Sequence, residues 1–176
     1  MVIKMKSLIK LIKSGKIFIY PTDTIYGLGC NALNKKAVEK IKKIKKRDKN
    51  KPLSVIAPSK SWIYKNLKSS KKLVNKYLPG KYTLILEKKN KRFLNYVSST
   101  KYLGVRIPNH NFFKIIQKSK VPFITTSVNL SGEKPITEIK EIKEEILKNV
   151  DVIIDAGKIY GKPSTIILPD GKKIRR

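Results

Sequence analysis

Two groups of polar residues stand directly after apolar runs, where their side chains could bind a phosphate or a carboxylate. Pro21-Thr22-Asp23-Thr24 follows the apolar residues 17–20, and Thr125-Thr126-Ser127-Val128-Asn129-Leu130-Ser131-Gly132 follows a second apolar run. Hydroxyl, amide and exposed backbone N–H groups suit both kinds of anion. The same residue types also form turns and cap helices. Either loop taken alone therefore favours a structural role.

Three basic residues stand where a charge needs a partner. Arg47 and Lys51 lead straight into an apolar run that begins at Leu53. Arg106 lies inside the otherwise apolar segment 104–108. A charge in such a segment is costly unless an acid or an anionic ligand pairs with it. The arginines are more informative than the lysines, because the guanidinium fork is hard to replace at a phosphate or carboxylate.

Several common kinds of site are absent from the sequence. No segment reads G-x-x-x-x-G-K-[ST], so there is no P-loop, and Gly27-x-Gly29 alone is too weak to indicate a dinucleotide site. One histidine and one cysteine give no plausible zinc site. We therefore expect no metal bound by protein side chains alone.

The charge of the chain is strongly positive. Lysine and arginine number 41 against 12 acidic residues, a formal net charge of +29. Such a field attracts RNA and nucleotides. Most of the basic residues are lysine, however, so biased genome composition explains many of them equally well. Both interpretations stay open at this point.

Apolar periodicity predicts strands that alternate with helices over most of the chain, followed by several strands close together near its end. Strands are predicted at residues 17–20, 53–57, 82–86, 103–107, 122–125, 152–154 and 165–168, with a short one after Gly171. Helices are predicted at 8–14, from Asn34 to about 46, at 111–118 and at 138–148, with one or two short ones within 59–77. Residues 126–135 read as a loop. This order indicates an α/β fold with a sheet of mixed direction.

Length and composition indicate one domain over residues 1–176. The apolar runs are too short to span a bilayer, and the N-terminal residues do not resemble a signal peptide. Cys30 is the only cysteine, so no internal disulfide requires an oxidising compartment. We expect a cytoplasmic protein with no membrane association.

Taken together, the segments resemble the YrdC-type L-threonylcarbamoyladenylate synthase family. The matching segments, in the order of the family, are residues 20–29, 46–53, 78–86, 105–108, 127–132, and 164–166 with 174–175. Each match is modest, but six in sequence are specific. The resemblance implies a twisted mixed α/β sheet with flanking helices around a basic cavity. It also implies an ATP-dependent enzyme that joins L-threonine, bicarbonate and ATP into threonylcarbamoyl-AMP and pyrophosphate, with Mg²⁺ assisting.

The resemblance also assigns residues to roles. Arg47 and Lys51 would hold the ATP phosphates, with Lys46 and Arg47 as the catalytic pair and Lys46 adding positive potential. Ser127, Asn129 and Arg175 would complete the ATP site. Thr24, Arg106, Thr125 and Ser164 would bind threonine, with Arg106 taking its carboxylate. The product would pass to a tRNA threonylcarbamoyl transferase complex.

Departures from the family leave a second hypothesis open. Lys51 stands where some relatives have Asn, and Val128 stands where many have Ala. A non-catalytic module of the same fold that binds tRNA or double-stranded RNA would also account for the +29 charge. Aromatic residues that could stack on bases make up only 8% of the chain, which argues against it.

Overall fold

A computed structural model describes residues 4–48 and 50–175 of the chain. Its helices are α1 (Met5–Lys13), α2 (Lys35–Ile44), α3 (Lys60–Asn66), α4 (Lys71–Tyr77), α5 (Phe112–Ser119), a 3-10 turn (Ile139–Glu141) and α6 (Glu144–Leu147). Its strands are β1 (Phe18–Tyr20), β2 (Gly27–Gly29), β3 (Ser54–Ile56), β4 (Leu67–Lys68), β5 (Tyr82–Lys88), β6 (Tyr102–Arg106), β7 (Phe123–Ser127), β8 (Val152–Ile153), β9 (Thr165–Ile167) and β10 (Lys173–Ile174).

All the described strands belong to one sheet, in the order β10-β9-β5-β6-β3-β7-β2-β1-β8, with β4 paired beside β5. Three of the pairs are parallel, namely β1 with β8, β3 with β6 and β5 with β9. The other pairs are antiparallel. The predicted mixed α/β sheet with flanking helices is therefore confirmed.

Helices cover both faces of the sheet. Successive side chains along each strand point to opposite faces and so contact different helices. Phe18, Tyr20 and Phe123 point to one face of the sheet, where α1 and α5 pack over them. Together with Phe112 of α5, these side chains form a cluster of four aromatic rings. Ile19 and Ile124 point to the opposite face, in the larger apolar cluster that takes in α2, α3 and α4. Both clusters are buried, so the strand backbone between them is held firmly.

Two predictions about elements need correction. Residues 138–148 do not form one helix, because Ile142 and Lys143 are extended and separate the 3-10 turn from α6. The Glu141 carboxylate accepts hydrogen bonds from the backbone N–H and the hydroxyl of Thr137, which closes the first turn locally. Strand β7 also continues through Thr126 and Ser127, which the composition assigned to a loop.

The short strand β2 was not predicted, because two of its three residues are glycine. The structure shows why glycine is required at Gly29. A Cβ atom there would lie 2.0 Å from the backbone oxygen of Ile124 in the neighbouring strand β7. This close approach brings β1 and β2 against β7, and it places the polar loop after β1 beside the end of β7.

None of the helices in the described part of the chain has the length and apolar character needed to cross a bilayer.

Candidate functional site

A cavity of about 360 Å³ opens on the same face of the sheet that α1 and α5 cover elsewhere. Its floor comes from alternate residues of neighbouring strands, namely Ser54, Thr83, Arg106, Thr125 and Ser127. No residue of α1 or α5 lines it. The cavity is therefore the part of this face that the helices leave open, and loops before and after the strands form its walls.

Eight of the predicted site residues line this one cavity. They are Thr24, Arg47, Lys51, Arg106, Thr125, Ser127, Asn129 and Ser164. They come from segments far apart in the sequence, so their meeting is a property of the fold. The two remaining residues, Lys46 and Arg175, do not line the cavity.

Arg47 and Arg106 reach the cavity at different levels along β3 and the loop before it. Arg106 is in register with Ile56 of β3, whereas the Arg47 guanidinium donates to the Pro52 carbonyl at 2.8 Å, four residues earlier in the chain. Four residues of extended chain span roughly 13 Å. The cavity is thus long enough to hold two different anionic groups at once.

The cationic end of the cavity comprises Lys45, Arg47 and Lys51. The Arg47 guanidinium lies across the loop before β3, with Nε 3.4 Å from the Lys51 carbonyl oxygen. None of these three cations forms a salt bridge with an acid of residues 4–48 or 50–175. Burial lowers the pKa of Arg47, but a guanidinium stays charged at any physiological pH. This end is therefore suited to a polyanion.

Lys45 is the functional candidate that sequence reasoning missed. Its buried ammonium donates to the backbone oxygens of Ser127 and Asn129 at 2.6 and 2.7 Å and to Asn129 Oδ1 at 3.0 Å. Its own carbonyl accepts the Ser131 N–H at 3.0 Å. Lys45 therefore fixes the loop after β7. Its position four residues after the buried Ile41 of α2 was the available signal.

Lys46 points the other way. Its backbone has a φ of 48°, which ends the helix, and its ammonium lies 2.8 Å from a Glu145 carboxylate oxygen on the outer surface. The role predicted for Lys46 has no support in this geometry, because the turn that brings Lys45 inward directs the next side chain outward.

Arg175 is exposed and follows β10 at the edge of the sheet. The pairing of Ile174 with Ile166 places Arg175 opposite Thr165, next to Ser164, which does line the cavity. Arg175 thus lies near the rim, and its predicted contact with a nucleotide stays a prediction.

The Arg106 end of the cavity is buried and rich in hydroxyl groups. Arg106 is 5% exposed, and its guanidinium donates to Thr24 Oγ1 at 3.2 Å and to Asp23 Oδ1 at 2.6 Å. Within the described residues, its Nε has no hydrogen-bond partner. Burial lowers the pKa of Arg106, and the Asp23 charge opposes that shift. Asp23 is thus the acid that the sequence required but did not identify.

Tyr26, which lines the cavity, holds the segment after β8 in place. Its hydroxyl donates to the Gly157 carbonyl at 2.7 Å and accepts the Ala156 N–H at 2.9 Å. The segment that follows runs past the cavity mouth to β9, and Gly161 passes so close to Thr24 that a Cβ atom would lie 1.6 Å from the Thr24 backbone oxygen. Ser164, which ends this segment, has its hydroxyl 2.8 Å from that of Thr83.

The fold and the cavity define an α/β protein that can bind a polyanion beside a smaller anionic group. The family model Sua5_yciO_yrdC, described as "Telomere recombination", matches residues 10–176. The chain therefore belongs to the Sua5/YciO/YrdC family.

Three proteins of this family show what the chain is similar to in more detail. A Methanocaldococcus jannaschii protein with the provisional name threonylcarbamoyl-AMP synthase is 45% identical over 169 residues, which cover 94% of this chain and 80% of that protein. The crystal structure of Pyrococcus abyssi Sua5 complexed with L-threonine has a TM-score of 0.83 and 29% identity, covering 94% of this chain and 51% of that one. Escherichia coli YciO has a TM-score of 0.82 and 26% identity, covering 97% and 86%. The chain thus spans about half the length of the Pyrococcus protein.

Lys45 predicts a measurable pH dependence. Burial, with a smaller effect from the Arg47 charge, lowers the pKa of Lys45 to about 8, and Glu133 opposes the shift. Lys45 is therefore charged below about pH 8 and loses its charge as the pH rises further. We expect the dissociation constant of a non-hydrolysable ATP analogue to rise about tenfold between pH 7 and 9.5, because a neutral Lys45 removes one positive charge from the cavity and holds the loop after β7 less firmly.

Calorimetric titration across this pH range measures the effect directly. In Lys45→Gln the binding should be weak at every pH and the rise should disappear. Lys46→Gln is the matched control, since its ammonium lies outside the cavity, and it should keep the wild-type profile. A pH profile that flattens in Lys46→Gln and not in Lys45→Gln would contradict the assignment of this pH dependence to Lys45.

Proposed function

We propose that the chain is a threonylcarbamoyl-AMP synthase, which converts L-threonine, bicarbonate and ATP into threonylcarbamoyl-AMP and pyrophosphate. The observation that carries this proposal is that Arg47 and Arg106 line one cavity. The name of the Methanocaldococcus relative and the complex of Pyrococcus Sua5 with L-threonine support the same activity.

The cationic end binds the triphosphate in this proposal. Arg47 and Lys51 hold phosphate oxygens, while Ser127 and Asn129 shape the loop that Lys45 fixes. Arg175 approaches the nucleotide from the rim. Arg47 and Lys51, which form no salt bridge within the described residues, would stabilise the negative charge that develops on the phosphates during displacement of pyrophosphate.

The Arg106 end binds threonine. Arg106 takes the carboxylate, and the hydroxyls of Thr24, Thr125 and Ser164 surround the rest of the amino acid. Bicarbonate loses water to give carbon dioxide, and the threonine amine adds to it, releasing a proton to solvent and forming a carbamate. The carbamate oxygen attacks the α-phosphorus while the bond to pyrophosphate breaks. No protein nucleophile is needed, so catalysis consists of alignment and charge stabilisation.

Mg²⁺ enters this scheme with ATP. Mg²⁺ keeps several waters and is held largely by substrate phosphates, so it needs few protein ligands. The cavity fits that mode, since Glu133 is the only acidic residue among its lining residues and no group of three or more His, Cys, Asp or Glu that could hold a metal occurs among the described residues. When bound, Mg²⁺ neutralises charge on the phosphates.

The wider setting belongs to the same proposal. We infer one domain over residues 1–176, which the single continuous sheet supports. The product would pass to a tRNA threonylcarbamoyl transferase complex in the cytoplasm, because a mixed anhydride hydrolyses readily and must be consumed nearby. The net charge of +29 would favour contact with tRNA during this transfer.

Pyrophosphate release tests the proposal. We expect release only when L-threonine, bicarbonate and ATP are all present, with threonylcarbamoyl-AMP detected by mass spectrometry in equal amount. Release that is independent of threonine would contradict the proposal. An inactive protein that binds tRNA at moderately high salt would favour the RNA-binding module instead.

A further inference from the structure

The basic residues that line the cavity differ in whether an acidic residue pairs with them. Lys45, Arg47 and Lys51 form no salt bridge within the described residues. Arg106 is paired with Asp23, and the side chains of the pair are only 6% and 7% exposed. The cationic end therefore carries net positive charge, while the Arg106 end is formally neutral.

Asp23 is built into its position behind Arg106. One carboxylate oxygen accepts from the guanidinium at 2.6 Å, and the other accepts the Asn109 N–H at 2.9 Å. Asp23 is not among the residues that line the cavity, so it reaches a ligand only through Arg106. Because both of its oxygens have partners, its charge is held in one place.

The location of this acid has a consequence for selectivity. A buried arginine without a partner would attract any anion, and a phosphate with several charges would bind it better than a single carboxylate. With Asp23 behind it, Arg106 still offers N–H donors, but the Arg106–Asp23 pair as a whole no longer attracts a polyanion. A zwitterionic amino acid has no net charge, so the presence of Asp23 weakens its binding much less.

We infer that Asp23 is a positioning residue that determines specificity, keeping phosphate groups out of the Arg106 end so that threonine binds there. This inference rests on the proposed function, since it assigns triphosphate and amino acid to opposite ends. It goes further by naming the group that keeps the two substrates apart.

Asp23→Asn tests the inference in the full chain, because asparagine keeps the shape and removes the charge. Inorganic pyrophosphate is the probe, and calorimetry counts its binding events without turnover. We expect one event in the wild type and two in Asp23→Asn. Saturating pyrophosphate should raise the dissociation constant of threonine about tenfold in the variant and less than about twofold in the wild type. Tenfold is the size expected when pyrophosphate competes with the threonine carboxylate for one charge-assisted contact with Arg106.

A closely matched control exists at Asp151. Its two oxygens also bind one cation, Lys16 at 3.0 Å, and one backbone N–H, that of Ile17 at 2.8 Å, but it does not line the cavity. Asp151→Asn should behave like the wild type. Should Asp23→Asn fail to fold, Asp23→Ser offers a smaller neutral side chain, and Asp23→Glu, which keeps the charge, should retain a single event.

The outcomes separate this inference from the proposed function. A single pyrophosphate event and unhindered threonine binding in a folded neutral variant would overturn the inference alone. A wild-type protein that binds neither threonine nor pyrophosphate would overturn both.

Discussion

Replacing Arg106 by glutamine should raise the dissociation constant of L-threonine about 100-fold while changing that of an ATP analogue less than about threefold. Each charge-assisted hydrogen bond to the carboxylate contributes about 1.5–3 kcal/mol, so the loss of two such bonds at the lower value amounts to about two decades in affinity. ATP is spared because Arg47, at the other end of the cavity, remains. Separate calorimetric titrations with the two ligands measure these effects.

The same substitution carries a cost in stability that has to be controlled. Arg106→Gln leaves the Asp23 carboxylate buried without its cation, and breaking a buried pair in this way costs about 3–5 kcal/mol. The double variant Asp23→Asn/Arg106→Gln removes both charges and should recover most of the lost melting temperature. Threonine binding should stay weak in it. Wild-type threonine affinity in a folded double variant would show that Arg106 does not hold the carboxylate.

Replacing Arg47 by alanine should lower kcat/KM for ATP by about 100-fold to 1,000-fold. Removing one preorganised donor from a transition-state charge site typically has an effect of this size. The Arg47 guanidinium contacts only carbonyl oxygens of the loop before β3 within the described residues, so its remaining donors are available to phosphates. Steady-state pyrophosphate release at varied ATP gives the value.

Arg92→Ala is the control for this second variant, because Arg92 is exposed and does not line the cavity. It should retain wild-type kinetics. Arg47 is only half-buried, so its removal should change the melting temperature little, and threonine affinity should remain near the wild-type value. A large loss of threonine affinity with normal use of ATP would reverse the roles assigned to the two arginines.

The strands that carry the site were largely predictable, because apolar runs such as those of β1 and β7 end in polar residues at recognisable points. That the two loops meet at one cavity was implied by the resemblance to the family and not by the residues of either loop. The charge on Arg106 within an apolar strand correctly predicted a partner. It could not predict that the partner would be Asp23, since that pairing depends on how β1 and β6 sit across the sheet.

The orientation of Lys45 and Lys46 and the presence of strand β2 could not be predicted from the sequence. The choice between Lys45 and Lys46 depends on the backbone turn at Lys46, where a φ of 48° reverses the direction of successive side chains. Strand β2 has two glycines and little intrinsic preference for extended structure. It forms because neighbouring strands approach closely enough to exclude a side chain at Gly29.

The most direct test of the central claim is a crystal structure of the protein with a non-hydrolysable ATP analogue and L-threonine bound together. We expect both ligands in the one cavity, with the triphosphate against Arg47 and Lys51 and the threonine carboxylate against Arg106. Threonine bound at the cationic end, or either ligand bound outside the cavity, would contradict it.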